Sequence, residues 1–272
     1  TAPVRDMRFV LEHLAGLPEL AELDAFSHAD PDMVASLLEE AGRFCSEAVA
    51  PTNREGDEHG TQLSSDGEIT LPDSFKRVYD QYVEAGWAAL SQPTEYGGGG
   101  FPLVVASAFK EMLNSANLAF SLGPLLTTGA VYAMSHHASD ELKNTYLPKM
   151  VTGEWAGTMN LTEPQAGSDV GAATTKAVPQ GDGTYRITGQ KIYITFGEHQ
   201  LTDQIVHLVL ARTPDAPPGT KGISLFIVPK FLVNEDGSLG ERNDVTCISI
   251  EHKMGIHASP TCTMAYLSLI HI

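Results

Sequence analysis

The apolar residues of this chain change their period once, near Gly153. Before that point they recur at helical spacing; after it they alternate. Val34, Leu37, Leu38, Ala41, Cys45 and Ala48 form one stripe. Asp30 is its expected N-cap, Pro31 sits where a missing N–H costs nothing, and Pro51 is expected to end the helix. A shorter stripe (Met7, Val10, Leu11, Leu14) precedes it, and another (Phe75, Val78, Tyr79, Tyr82) follows Pro72. Asn53 to Glu68 reads as a polar, acidic loop. From Leu103 to about His137 the chain is apolar almost all round, as in helices that sit in the middle of a bundle or line an apolar pocket. Asp140 to Met150 is the last expected helix, with acids in its first turn and Lys149 near its end.

Beyond Gly153 the expected strands are 155–162, 172–178, 184–188, 191–195, 204–212, 223–229, 245–251 and 261–267. Asp182-Gly183 supplies a tight turn, and Pro214 to Gly222 a turn-rich connection. Such short strands build a compact β-barrel or sandwich. The fold class expected is therefore α+β multidomain. Its parts are an all-α helical domain over 1–153 and a β domain over 154–266. Residues 267–272, Leu-Ser-Leu-Ile-His-Ile, read as a tail foreign to the pattern before them.

Several function classes are disfavoured by composition and spacing. The formal net charge is −17, and residues 1–70 hold fifteen acids against four bases, so no basic stripe offers itself to nucleic acid. Cys45, Cys247 and Cys262 are odd in number and lack CxxC spacing, which fits inert thiols in a reducing, cytoplasmic compartment. The ten histidines, His136-His137 included, do not adopt metal-ligand spacing. No unbroken run of about eighteen apolar residues is present to span a membrane. Pro93 to Pro102 carries four glycines but no Gly-Lys-Ser/Thr, so a bent connection is expected rather than a phosphate loop. Gly167-Ser168 lacks the GxSxG turn of a serine hydrolase.

Chemistry is expected in two stretches, Trp155 to Asp169 and Gly189 to Gly197. In the first, strand alternation puts Met159, Leu161 and Glu163 on one face and Asn160 and Thr162 on the other. The turn that follows is built of small residues, which lets backbone N–H groups approach a planar polar ligand. Thr162, Ser168 and Thr195 place hydroxyls beside exposed backbone and an aromatic ring, as a large planar cofactor requires.

Together these stretches resemble the acyl-CoA dehydrogenase family. The resemblance rests on Leu161-Thr-Glu-Pro164, Ala166-Gly-Ser-Asp169, Gly189-Gln-Lys191 and Ile194-Thr195. Glu154-Trp155, Gly222-Ile-Ser-Leu-Phe226 and Lys253-Met-Gly-Ile256 add to it. It implies an FAD enzyme that converts an acyl-CoA to its 2,3-enoyl-CoA and passes electrons to an electron-transfer flavoprotein or a similar acceptor. It also implies a homo-oligomer at full length. By position, Met159, Leu161 and Thr162 would bond the pyrimidine part of the flavin. Gly167 and Ser168 would face the cofactor–substrate junction, Ser168 also touching the CoA chain. Tyr193, Ile194 and Thr195 would lie along the ring, with Tyr193 where the family commonly has tryptophan. Asn160 stands where a small residue is usual, and Gln165 where glycine is common.

Gly157 to Glu163, Gly197-Glu-His199 and Ile205 to Arg212 are similar to a branch of long family members that includes 3-(methylthio)propanoyl-CoA dehydrogenases. The family's glutamate base belongs to a C-terminal helical domain, expected to be absent here. Glu163 belongs to the flavin loop and Glu111 to an ordinary helix, so no catalytic residue is assigned. Two other readings are an acyl-CoA oxidase and a non-catalytic flavin- or CoA-binding module.

Overall fold

Asp30 caps its helix as expected: its carboxylate accepts from the N–H groups of Asp32 and Met33, each at 3.0 Å. The computed structural model describes residues 2–267, so most of the foreign-tail expectation lies outside the described residues. The helical part comprises α1 (Val4–His13), α2 (Leu17–Ala21), α3 (Pro31–Phe44), α4 (Ala50–His59) and α5 (Asp73–Glu84). It continues through α6 (Leu103–Ala116), α7 (Leu118–His137) and α8 (Asp140–Thr152).

Pro51 does not end its helix. Between α3 and α4 lies one wide turn, Cys45–Val49, in which the Ala50 N–H reaches back to the Cys45 carbonyl. That extra residue resets the hydrogen-bond ladder, so Pro51 falls in the first turn of α4 and leaves no bond broken. The expected loop after Asn53 is accordingly helical to His59, then a small hairpin of β1 (Gln62–Leu63) and β2 (Ile69–Thr70). Leu103 to His137 forms two helices, α6 and α7. Asn117 leaves helical geometry and accepts from the Phe120 N–H at 3.0 Å, capping α7, while its amide donates to Thr52. Asparagine is a good cap. Flanked by neither glycine nor proline, it did not announce the break.

α7 is long and apolar enough to cross a bilayer by length and composition, yet it packs against α6, α8 and the first strand of the β part. That part comprises β3 (Ala156–Asn160), β4 (Lys176–Pro179), β5 (Tyr185–Thr195), β6 (Ile205–Ala211) and β7 (Ser224–Pro229). It is completed by β8 (Phe231–Val233), β9 (Leu239–Arg242), β10 (Val245–Ile250) and β11 (Thr261–Tyr266). One sheet runs β10-β11-β5-β4 and a second β3-β6-β7, with β3 parallel to β6; β8 and β9 pair separately. Arg212 joins the sheets, since Ala177 N–H donates to its carbonyl at 2.8 Å and its own N–H to Thr175 at 2.9 Å.

The two strands expected at 184–188 and 191–195 are one, β5. Gly189 does not interrupt it; a side chain there would strike Thr175 on the chain behind. The short, half-exposed β8 and β9 carried no alternation long enough to mark them. The larger apolar core runs through both parts, from Leu38, Phe75 and Phe120 to Ile187, Val228 and Tyr266.

The seam between α7 and β3 is tight. The Gly157 N–H donates to Thr127 Oγ1 at 3.0 Å, and a Cβ on Gly157 would stand 2.7 Å from both Ala130 Cβ and Met150 Cε. Gly157→Ala is therefore expected to destabilise the fold by about 1–3 kcal/mol, as overpacking does. Urea unfolding measures it, and an unchanged midpoint would show that the seam can give way.

Candidate functional site: a strand edge held by a buried ion pair

The two motif stretches meet at the end of β3. The Ile192 N–H donates to the Thr162 carbonyl at 2.9 Å, and Thr158 Oγ1 to the Thr195 carbonyl at 2.7 Å. Beneath them Lys191 Nζ lies 2.8 Å from Glu163 Oε1 and 3.0 Å from the Leu161 carbonyl. Both side chains of the pair are buried, 0% and 2% exposed. Glu163 also accepts from the Thr174 N–H at 2.7 Å, Thr174 Oγ1 at 3.0 Å, the Thr175 N–H at 3.0 Å and Gln165 Nε2 at 2.6 Å. Burial pushes the Glu163 carboxyl up, but Lys191 and the threonine donors outweigh it and hold it at about 2.

Strict alternation along Met159, Leu161 and Glu163 fails at this point. β3 ends at Asn160, and the chain turns so that Glu163 is buried while Leu161 and Thr162 are half-buried. Met159 stays outward and Asn160 inward. Asn160, in place of a small residue, accepts from the Tyr266 hydroxyl at 2.7 Å, and its amide lies 3.3 Å from His207 Nδ1. Gln165 spans from Glu163 to Thr174, which accounts for its presence where glycine is common.

β5 carries a bulge. Its pairing with β11 slips between Cys262↔Ile194 and Met264↔Lys191, leaving one extra residue on β5. Tyr193 has φ +60°, a left-handed conformation rare for a side chain of its size. The extra residue lets Lys191 and Ile194 both face the core while the Tyr193 ring is turned out, 59% exposed. Ile194 is buried and its backbone pairs with Cys262 of β11.

The edge offers donors. The N–H groups of Leu161, Thr162, Gly167 and Ser168 have no protein acceptor among the described residues. Gly167 and Ser168 are exposed, and Thr195 is half-buried. Unspent amides along a strand end, beside an outward aromatic ring, fit the polar edge and flat face of a flavin. Sequence reasoning missed the partners that hold this edge. Nothing local shows that Glu163, in the flavin loop, and Lys191, on another strand, would pair.

A second polar cluster lies deeper. Glu198, 2% exposed, is bonded by Lys230 at 2.7 Å, and Lys230 also reaches Glu68 at 3.0 Å. Arg242 joins at 2.6 Å from Glu68, tying the β1–β2 hairpin to the sheets. Burial, with Lys230 nearby, holds His199 and His207 neutral, each pushed down to about 3. Among the described residues no His/Cys/Asp/Glu group is arranged to hold a metal ion.

Comparison with known proteins agrees with this geometry. The family profile for the acyl-CoA dehydrogenase N-terminal domain matches residues 32–154, and that for the middle domain matches 158–268. A 3-methylmercaptopropionyl-CoA dehydrogenase of Ruegeria pomeroyi is 53% identical over 97% of this chain and 45% of its own length. A butyryl-CoA dehydrogenase of Syntrophomonas wolfei is 42% identical over 97% of this chain and 44% of its own. The solved structure of an acyl-CoA dehydrogenase complexed with FAD from Bacillus anthracis superposes with TM-score 0.70 at 26% identity, over 88% of this chain and 36% of that one. The chain thus spans less than half the length of these curated relatives.

Breaking the ion pair leaves a buried charge unmatched. Glu163→Gln and Lys191→Met are each expected to cost about 3–5 kcal/mol, and the double variant clearly less than their sum. Urea unfolding of the four proteins checks this; strict additivity would mean that the pair is not coupled. On the acid side the signs agree. The neutral histidines bind protons only when unfolded, so stability falls as pH drops from 6.5 towards 3, by up to about 1.4 kcal/mol per pH unit for each. Glu163's contribution, full above about 4.5, is lost only as pH falls towards 2. A urea midpoint that stays flat from pH 7 to 5 would contradict the histidine assignment.

Proposed function

The chain belongs to the acyl-CoA dehydrogenase family, carrying its N-terminal and middle domains, and from that premise we propose that it forms the flavin half-site of an FAD-dependent acyl-CoA dehydrogenase. The reaction is the oxidation of an acyl-CoA thioester to the 2-enoyl-CoA. The observation that carries this reading is the row of undonated amides at Leu161, Thr162, Gly167 and Ser168 beside the outward Tyr193 ring.

In this reading Met159, Leu161 and Thr162 bond the pyrimidine edge of the cofactor. Tyr193, Ile194 and Thr195 lie along its ring system. Gly167 and Ser168 stand at the junction with the substrate, Ser168 against the CoA chain. The flavin supplies a two-electron acceptor for the carbon–carbon bond being oxidised. The protein's share is to fix donors that need not reorganise when the ring takes up charge. The domain division proposed is 1–153 and 154–266.

Proton abstraction beside the thioester requires a free carboxylate within hydrogen-bond reach. Glu163 and Glu198 are both bound to lysine, so neither is free to serve. No catalytic base is assigned among the described residues. The identity to the Ruegeria pomeroyi relative supports 3-(methylthio)propanoyl-CoA as the substrate. The proposal extends to an electron-transfer flavoprotein as electron acceptor, a homo-oligomeric full-length enzyme and a cytoplasmic location, the last in keeping with three buried free thiols.

An anaerobic titration of the FAD-loaded chain with acyl-CoA tests the reading. Flavin binding without bleaching is expected. Bleaching would place a base within these residues, whereas failure to bind FAD would remove the flavin half-site itself.

A further inference from the structure

Asn160 is the last residue of β3 to pair with β6, opposite Val209, and it is 0% exposed. An amide buried so deeply needs partners for both its polar atoms. It finds them on two other strands. Oδ1 accepts from the Tyr266 hydroxyl of β11 at 2.7 Å, and Nδ2 donates to His207 Nδ1 of β6 at 3.3 Å. Because the amide nitrogen can only donate, His207 Nδ1 carries no proton. The ring is therefore neutral, as its burial near Lys230 and Arg242 also requires. Tyr266 and His207 are buried too, so the three side chains form a polar column closed to water.

The column ends where the ligand-facing edge begins. The peptide that carries the free Leu161 N–H starts at the Asn160 carbonyl carbon. Its far side is held by Lys191 Nζ on the Leu161 carbonyl at 3.0 Å, and the next carbonyl, of Thr162, by the Ile192 N–H at 2.9 Å. Pairing with β6 stops at Asn160, so beyond it no ladder to that strand sets the direction of the chain. The Asn160 side chain is the last tie ahead of the free amides. A small residue, usual at this position in the family pattern, could not make it.

Resting on the flavin reading above, we propose that Asn160 is a positioning residue for the cofactor: held by Tyr266 and His207, it fixes the end of β3 so that the Leu161 N–H is aimed at the pyrimidine edge of the flavin. A donor held there stabilises the negative charge that the edge takes up on reduction, and so favours the reduced cofactor over the oxidised one. Asn160 touches no reacting atom and acts through the Leu161 amide.

The midpoint potential of the bound flavin, measured anaerobically against a reference dye, tests this in three variants. Asn160→Leu keeps the volume but leaves the Tyr266 hydroxyl without its acceptor. Tyr266→Phe removes that hydroxyl. The double variant replaces the whole bond by an apolar contact, which should return part of the stability that Asn160→Leu loses, as read by urea unfolding. In Asn160→Leu the affinity for reduced FAD relative to oxidised FAD should fall about three- to tenfold, a potential lower by about 14–30 mV. The double variant should keep that lowered potential although its urea midpoint recovers, which a purely structural role would not produce. If Asn160→Leu does not fold, Tyr266→Phe carries the test and must lower the potential in the same sense. An unchanged potential in the folded variants, or one that recovers in step with the urea midpoint, overturns the assignment. Failure of the unaltered chain to bind FAD would instead overturn the flavin reading on which it rests.

Discussion

The geometry of the site depends on one buried ion pair. Glu163 and Lys191 come from stretches far apart in sequence, and their contact draws the end of β3 against the bulged part of β5. A carboxylate buried to this depth would be costly alone; here it accepts from Lys191, Gln165 and two threonines at once. The turn after β3 is thereby fixed by its underside, and the upper side keeps its amide donors free. A ligand at that edge would meet a surface already organised, which is the condition for recognition without a large ordering penalty.

The bulge at Tyr193 makes that arrangement possible. In an unbroken strand Lys191 and Tyr193 would share a face, and burying the lysine would bury the ring. The extra residue, held in a left-handed conformation, uncouples the two. Backbone strain at one residue thus separates a structural side chain from a ligand-facing one. Asn160 does similar service on the inner face of β3, where its bond from Tyr266 of β11 ties one sheet to the other.

α7 connects this edge to the helical part. It is apolar on several faces because each meets a different neighbour: β3 across Gly157, α8, and a small cavity beside Gln92 and Lys110. The core is continuous across the change from helix to strand, and the Glu68–Lys230–Glu198–Arg242 cluster locks the β1–β2 hairpin onto the sheets. The two parts are distinct in secondary structure but share much of their burial.

Much of this was legible in the residues. The change of period at Gly153, the cap at Asp30 and the strands over 204–212 and 223–229 follow from local spacing, because period and capping are properties of neighbouring residues. The Leu161 to Asp169 and Gly189 to Thr195 strings identified the family for the same reason: they are contiguous. Features that needed a distant partner were not legible. Pro51 sits inside a helix because a wide turn before it shifts the ladder, and Asn117 breaks one because Thr52 is there to receive its amide. The outward Tyr193 depends on a register slip against β11, and the burial of Glu163 on a lysine from another strand. The sequence by itself determined the order of a helical part and then a β part, the family and the stretches that matter. Only the tertiary structure decided which side chains face a ligand and which are spent inside, since that choice is made by partners distant along the chain.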